Sequence, residues 1–196
     1  MKSFISEDNI EQAICNRLSQ PEYGWKRIEC SPELEDQDEV ASTGRANASE
    51  CILPEVFLSA LRRLNPQIDD EILKNILQDF RKDYSGTDMV DTNYKFYNQI
   101  RNGIKVKTRN QHREDFDIVK LIDFDHPERN DFHCVNQMWI KGHFRYRRPD
   151  VLLFVNGLPV VFIELKNSTV KIEESYNKNL VSYRKDIPNI FAMNQI

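Results

Sequence analysis

The chain has 196 residues, a formal net charge of −4, 40% hydrophobic residues and 30% charged residues. That length supports one domain with a sizeable core, and the balance fits a folded soluble protein and excludes a disordered one. The negative charge argues against a protein that simply coats nucleic acid, although a local basic patch can still grip phosphates.

The longest apolar run, 151–155, is far too short to span a membrane. The N-terminal stretch turns acidic at Glu7 and Asp8 before any hydrophobic signal region develops. The four cysteines, Cys15, Cys30, Cys51 and Cys134, form no Cys-x-x-Cys pair, so a reducing cytoplasmic setting is expected, with neither disulfides nor zinc.

In chain order, Ser6 can cap a helix over 7–19, with Ile10, Ala13, Ile14 and Leu18 on its apolar face. Residues 31–39 hold five acids and no base, and with the small polar run 41–49 they read as an exposed loop. Pro54 opens a second helix presenting Phe57, Ala60, Leu61 and Leu64, and Asn65-Pro66 breaks it. Asp69 and Asp70 open a third, with Ile72, Leu73, Ile76, Leu77 and Phe80 inward. Residues 91–100 form a fourth, closed by Asn102-Gly103.

After Gly103 the periodicity shortens. Residues 104–108, 116–124, 132–140 and 144–147 read as strands, with a turn at 126–131 and a break at Gly142. Residues 151–155 and 159–166 flank Asn156-Gly157 as the clearest hairpin, and 173–185 closes the chain as a helix. Helices, then strands, then a helix predict an α/β or α+β domain.

The hairpin carries the chemistry. It begins Arg148-Pro149-Asp150 and ends Ile163-Glu164-Leu165-Lys166, so two carboxylates and an amine interrupt apolar strands. Such charges are costly to bury unless they are paired or hold a metal. Glu164 and Lys166 share a strand face. A plain two-residue Asn-Gly turn would set Asp150 opposite Ile163, facing away from Glu164. A three-residue bulged turn would pair Phe154 with Leu158 and set Asp150 opposite Phe162, diagonal to Glu164. The bulged turn is the expectation, because only it gathers the three charges.

A Mg²⁺ held by Asp150, Glu164 and the backbone carbonyl of Leu165 would favour phosphodiester hydrolysis. Lys166 would orient the attacking water and stabilise developing charge. Lys141, His143, Arg145, Arg147 and Arg148 lead into Asp150 and could hold the DNA backbone. The bland alternative is a structural salt bridge at the sheet end.

These residues, with Ile122-Asp123-Phe124, Asn130-Asp131-Phe132, Val135-Asn136-Gln137 and Asn156-Gly157-Leu158-Pro159, resemble the N-terminal nuclease domain of the R (restriction) subunit of type I restriction enzymes. Leu53-Pro54-Glu55, Ala60-Leu61, Leu64-Asn65-Pro66, and Tyr183 with Asp186-Ile187-Pro188 extend the likeness over most of the chain from about Leu53. The resemblance implies a restriction-endonuclease-like PD-(D/E)xK core: a central mixed β-sheet flanked by helices, here with an N-terminal helical segment. It implies Asp150 and Glu164 as Mg²⁺ ligands and Lys166 as catalytic. It implies double-stranded DNA as substrate, cleavage of unmodified foreign DNA, and a complex with methylation and specificity subunits. ATP-driven translocation belongs to motor domains. These 196 residues hold no Gly-x-x-x-x-Gly-Lys loop, so ATP binding is expected only of a full-length protein, of which this chain would be an N-terminal fragment, weakly active or inactive alone.

Such nucleases often carry Gln-x-x-x-Tyr after the lysine. Here Asn179 stands in the glutamine position and Tyr183 follows, a pair that could reach the site or DNA. Related nucleases sometimes add a first-helix glutamate as metal ligand. Glu11 is the better placed of Glu7 and Glu11, with a solvated helix face as the alternative. His126, His133 and His143 lack a regular ligand spacing. Trp25, Trp139, Tyr94, Phe96 and Tyr97 read as packing residues, and no chemistry attaches to Asn130, Asn136 or Gln137. Two further readings stay open: a stand-alone repair or recombination nuclease, and a non-catalytic DNA-binding or assembly module on the same fold.

Overall fold

The structure is a computed structural model that describes residues 6–30, 40, 42–110, 113–166 and 180–195. Helix α1 (Glu7–Leu18) starts at Ser6, whose hydroxyl accepts the Asn9 N–H at 3.2 Å. The face it buries differs from the expected one. Glu11 and Cys15 are buried, whereas Ala13 is exposed. The helix turns this way because two amides meet Glu11 and the Cys134 thiol lies 3.4 Å from that of Cys15.

Strand β1 (Lys26–Glu29) was not expected, since Lys-Arg-Ile-Glu offers a single apolar residue. Helices α2 (Pro54–Leu64), α3 (Asp70–Phe80) and α4 (Met89–Asn102) follow. Asp88 accepts the Val90 and Asp91 N–H groups, which starts α4 ahead of the expected Asp91. These helices join through a run of rings, Phe57 to Phe80 to Phe96, each pair with centroids 4.9 Å apart. Each such fully buried side chain contributes about 1.5–3 kcal/mol of hydrophobic stabilisation. Tyr94 and Tyr97, read as packing residues, are instead largely exposed. They stack on each other along α4, so they pack within the helix while Phe96 enters the core.

Residues 31–39 and 41 of the expected exposed loop lie outside the described residues. Thr43 and Arg45, in the described part, are buried. Arg45 donates to the carbonyls of Glu50 and Trp139 at 3.1 and 2.9 Å, which draws this segment onto the domain.

Strands β2 (Ile104–Asn110) and β3 (Arg113–Val119) form a separate antiparallel pair. The expected strand over 116–124 stops at Val119, because Asp123 and Asn130 close a turn: Asn130 accepts the Asp123 N–H and donates back to its carbonyl. Strand β4 (Phe132–Asn136) is shorter than the expected 132–140, and β5 (Ile140–Lys141) and β6 (Tyr146–Arg147) make a small hairpin of their own.

The central sheet runs β1-β4-β7-β8, where β7 is Val151–Val155 and β8 is Leu158–Ile163. Strand β1 is parallel to β4 and the other pairings are antiparallel, so the sheet is mixed. One face sends Val135, Leu152 and Phe154 into the core shared with α2, α3 and α4. The other sends Cys134, Val151 and Leu153 against Cys15 and Leu18 of α1. The expected α/β arrangement, a mixed sheet flanked by helices, is what forms.

Residues 173–179 of the expected closing helix lie outside the described residues. Helix α5 (Val181–Asp186) follows them, then α6 (Pro188–Met193), which packs on α4 and β8 and was not expected. Among the described residues no helix is long and apolar enough to cross a membrane.

Candidate active site

The hairpin turn positions everything else. Asn156 (φ 51°) and Gly157 (φ 81°) both lie in the left-handed region and join Val155 directly to Leu158, a two-residue turn. The expected three-residue bulged turn is not what forms. The buried Asn156 side chain accepts the Asp131 N–H at 2.7 Å and donates to Leu121 O and Asn130 Oδ1. Gly157 packs against α2 so closely that a Cβ there would sit 2.6 Å from the Leu53 carbonyl. Asn130 therefore finds its role as a buttress of this turn.

The extra residue appears later, inside β8. Phe154 pairs with Pro159, but Leu153 pairs with Val161, which leaves Val160 bulged. Proline cannot donate to a ladder, and a bulge beside it accommodates the missing bond. The Val160 carbonyl accepts the Gln195 N–H at 3.1 Å. Beyond the bulge Val151 faces Ile163 as the last pair of the ladder, so Asp150 and Glu164 lie just past the sheet end and the expected pairing of Asp150 with Phe162 does not form.

At this sheet end Asp150 Oδ2 accepts the Leu165 N–H at 2.6 Å. The Lys166 ammonium donates to Glu164 Oε1 and to the Leu165 carbonyl, both at 2.7 Å. Tyr183 from α5 packs its ring edge on Phe162, and its hydroxyl, beside Glu164, donates to the Arg148 carbonyl at 3.4 Å. Burial, joined by the Asp150 charge, raises the Glu164 carboxyl above its ordinary range despite the pull of Lys166 and Tyr183. Burial alone would lower the Lys166 ammonium, but Glu164, Asp150 and Glu7 together raise it.

Glu164 and the Leu165 carbonyl thus meet at the Lys166 ammonium, and Asp150 is bonded to the Leu165 N–H beside them; carboxylate and carbonyl oxygens are the donor type that Mg²⁺ takes. The lysine ammonium already bridges Glu164 and the Leu165 carbonyl, so the pair accepts positive charge. Among the described residues no group of three or more acidic, histidine or cysteine side chains gathers to hold a metal.

Glu11 of α1 is 4% exposed and shares a cleft of about 460 Å³ with Asp150. Its oxygens accept from Asn136 Nδ2 at 2.9 Å and from Gln137 Nε2. Sequence reasoning attached no chemistry to Asn136 or Gln137. No spacing rule flags them, because their roles depend on which way α1 rolls over the sheet.

The basic residues separate. Arg148 lines the Glu11–Asp150 cleft and covers the Trp139 ring at 5.0 Å. Arg147 pairs with Asp186 at 2.7 Å and covers the Tyr183 ring at 5.3 Å. Arg145 is exposed, and Lys141 lines a different cavity with Arg81 and His143. Asn179 lies outside the described residues. His133 is buried beside Asp131 and Lys26, and His143 contacts Ser85. Trp25 packs on Phe132.

Residues 4–196 match the model of the family described as type I restriction enzyme R protein N terminus. The chain is 30% identical over 196 residues to the type I restriction enzyme HindI endonuclease subunit of Haemophilus influenzae, covering 98% of this chain and 18% of that protein. It is 28% identical over 202 residues to the putative type I restriction enzyme MjaIXP endonuclease subunit of Methanocaldococcus jannaschii, again covering 98% and 18%. The chain therefore spans under a fifth of the length of these relatives.

Proposed function

The chain belongs to the family of type I restriction enzyme R protein N termini, and on that premise we propose that it is the DNA-cleaving domain of such a subunit, a PD-(D/E)xK nuclease acting with a divalent cation. The observation that carries the proposal is the meeting of Asp150, Glu164 and Lys166 at one sheet end. The names of the relatives, endonuclease subunits of type I restriction enzymes, support the same reading.

Asp150, Glu164 and the Leu165 carbonyl are the residues that would hold the cation, Mg²⁺ in the cell. When bound, such a cation neutralises phosphate charge and eases deprotonation of an attacking water. Lys166 holds that water in line through its ammonium and stabilises charge building on the phosphoryl oxygens. Tyr183 lowers the Glu164 carboxyl and so favours the charged form that a cation needs, against the burial that raises it. Arg148 contacts DNA beside the cleft, while Lys141 and Arg145 reach backbone phosphates further out, giving binding that depends on backbone and not on sequence. Asn179 is proposed to contact DNA from the segment that precedes α5. ATP-driven movement along DNA, and assembly with methylation and specificity subunits in the cytoplasm, are proposed for the complete R subunit.

The test is Mn²⁺ titration of the chain, paired with cleavage of unmodified DNA by the complete R subunit in its complex. Wild type binds Mn²⁺ and cleaves. Asp150→Ala and Glu164→Ala do neither. Equal Mn²⁺ binding by wild type and Asp150→Ala would overturn the assignment.

A further inference from the structure

In a regular strand, consecutive side chains point to opposite faces. Asn136 ends β4, yet its amide and that of the next residue, Gln137, both donate to the one Glu11 carboxylate. The backbone makes this possible by leaving the strand between them. Gln137 adopts φ 58°, a left-handed conformation uncommon for a residue with a Cβ, of a kind that persists where surrounding contacts impose it. Those contacts are present. The Gln137 N–H donates to the Asp150 carbonyl at 3.0 Å, so the same residue touches Glu11 by its side chain and Asp150 by its backbone.

The surroundings sharpen the point. The cleft over this spot is lined by Glu7, Asp8, Glu11, Glu29 and Asp150, with Arg148 among its walls. Glu11 is 4% exposed, so its carboxyl lies there nearly cut off from bulk water. Asn136 is 1% exposed, and its Oδ1 has no hydrogen-bond partner in the protein although it borders the cleft. A buried acceptor without a donor calls for a polar guest, such as the water of a cation's shell. A pure packing role for Asn136 would leave that atom unexplained.

We propose that Asn136 and Gln137 are positioning residues that clamp the Glu11 carboxylate toward Asp150, so that Glu11 completes the acidic wall of the cation site. The inference rests on the cation-site reading above and adds to it the residues that orient Glu11 in the cleft it shares with Asp150. Neither amide touches substrate. They act through Glu11, as outer partners act on ligands at other metal sites.

The experiment is Mn²⁺ titration of the chain followed by electron paramagnetic resonance, with melting temperature recorded without metal. Gln137→Gly suits the left-handed backbone and keeps the N–H bonded to Asp150, while deleting the amide. Asn136→Ala deletes the other, and Glu11→Gln removes the carboxylate they hold. Each single change is expected to weaken Mn²⁺ binding by about tenfold to a hundredfold and to alter the bound-Mn²⁺ spectrum. The double variant Glu11→Gln, Gln137→Gly is expected to bind no more weakly than Glu11→Gln alone, because both changes remove the same contribution. A merely structural role would lower the melting temperature and add to the loss from Glu11→Gln.

Wild-type binding retained in both Gln137→Gly and Asn136→Ala would overturn the clamp while leaving the cation site standing. Losses that add in the double variant would overturn it as well. A wild-type chain that binds no Mn²⁺ would overturn the cation-site reading and the clamp with it. Should Gln137→Gly melt far below wild type, Asn136→Ala and its double with Glu11→Gln decide the question by the same criteria.

Discussion

Asp150 and Leu165 are joined by a 2.6 Å hydrogen bond from the Leu165 N–H to the Asp150 carboxylate. Leu165 lies between Glu164 and Lys166, so this bond holds Asp150 on the surface where those two side chains project. If the proposed cation binds there, it should stabilise the fold. A ligand at a hundred times its dissociation constant adds about 2.7 kcal/mol, which for a chain of this size raises the melting temperature by about 5–10 °C. Calorimetry with and without Mn²⁺ should show that rise in wild type. Asp150→Ala should show none, and an equal rise in it would refute the site.

Glu164 carries the opposite sign in the absence of metal. Its carboxyl is raised by burial and by Asp150, so the folded protein holds its proton more tightly than the unfolded chain does. The native state then binds more protons across this range, and stability is lost as pH rises from the ordinary glutamate range through the raised value. Glu164→Gln keeps the shape without the charge. Without metal at neutral pH it should melt above wild type, and the gap should close in acid, where the wild-type carboxyl is protonated. The same variant should lose Mn²⁺ binding, a trade of function against stability. A lower melting temperature than wild type at pH 7 would contradict this account.

The fold was legible where local rules decide. Ser6, Asp69 and Pro54 mark the helix starts, and Asn156-Gly157 marks the hairpin. The meeting of Asp150 with Glu164 and Lys166 was also legible as a requirement, but its means were not. The expectation put the bulge in the turn, whereas the buried bonds of Asn156 enforce a tight turn and Pro159 displaces the bulge to Val160. Both arrangements supply one extra residue to the same strand pair, so charge pattern alone could not choose between them. The roll of α1 was hidden for a similar reason. Apolar spacing favoured Ile10 and Ala13, while tertiary amides from Asn136 and Gln137 drew Glu11 inward.

Tyr183 acts on Glu164 through its hydroxyl and on Arg147 and Phe162 through its ring. Tyr183→Phe should therefore separate chemistry from packing. Its hydroxyl lowers the Glu164 carboxyl, so losing it raises that group further. Cation binding competes with the proton on Glu164, and the pH midpoint of Mn²⁺ binding should move upward. The melting temperature should change little, since the ring contacts remain. A midpoint that stays put would show that the hydroxyl has no hold on Glu164.

Arg147 and Arg145 stand two residues apart and should behave differently. Arg147 donates to Asp186 at 2.7 Å, and both partners are mostly buried, with side-chain exposures of 31% and 14%. Arg147→Ala leaves the Asp186 carboxylate without its charged donor, a loss of about 1.5–3 kcal/mol for a hydrogen bond to a charged group, and it also uncovers the Tyr183 ring. Arg145 is exposed, so Arg145→Ala should leave the melting temperature unchanged. If Arg145 reaches a backbone phosphate as proposed, its loss should weaken DNA binding uniformly across sequences and reduce the salt dependence by about one ion. Lys141→Ala should follow Arg145 in both respects. Thermal melts and DNA binding measured at several salt concentrations check the contrast. A salt slope unchanged in both Arg145→Ala and Lys141→Ala would remove these two residues from the DNA path.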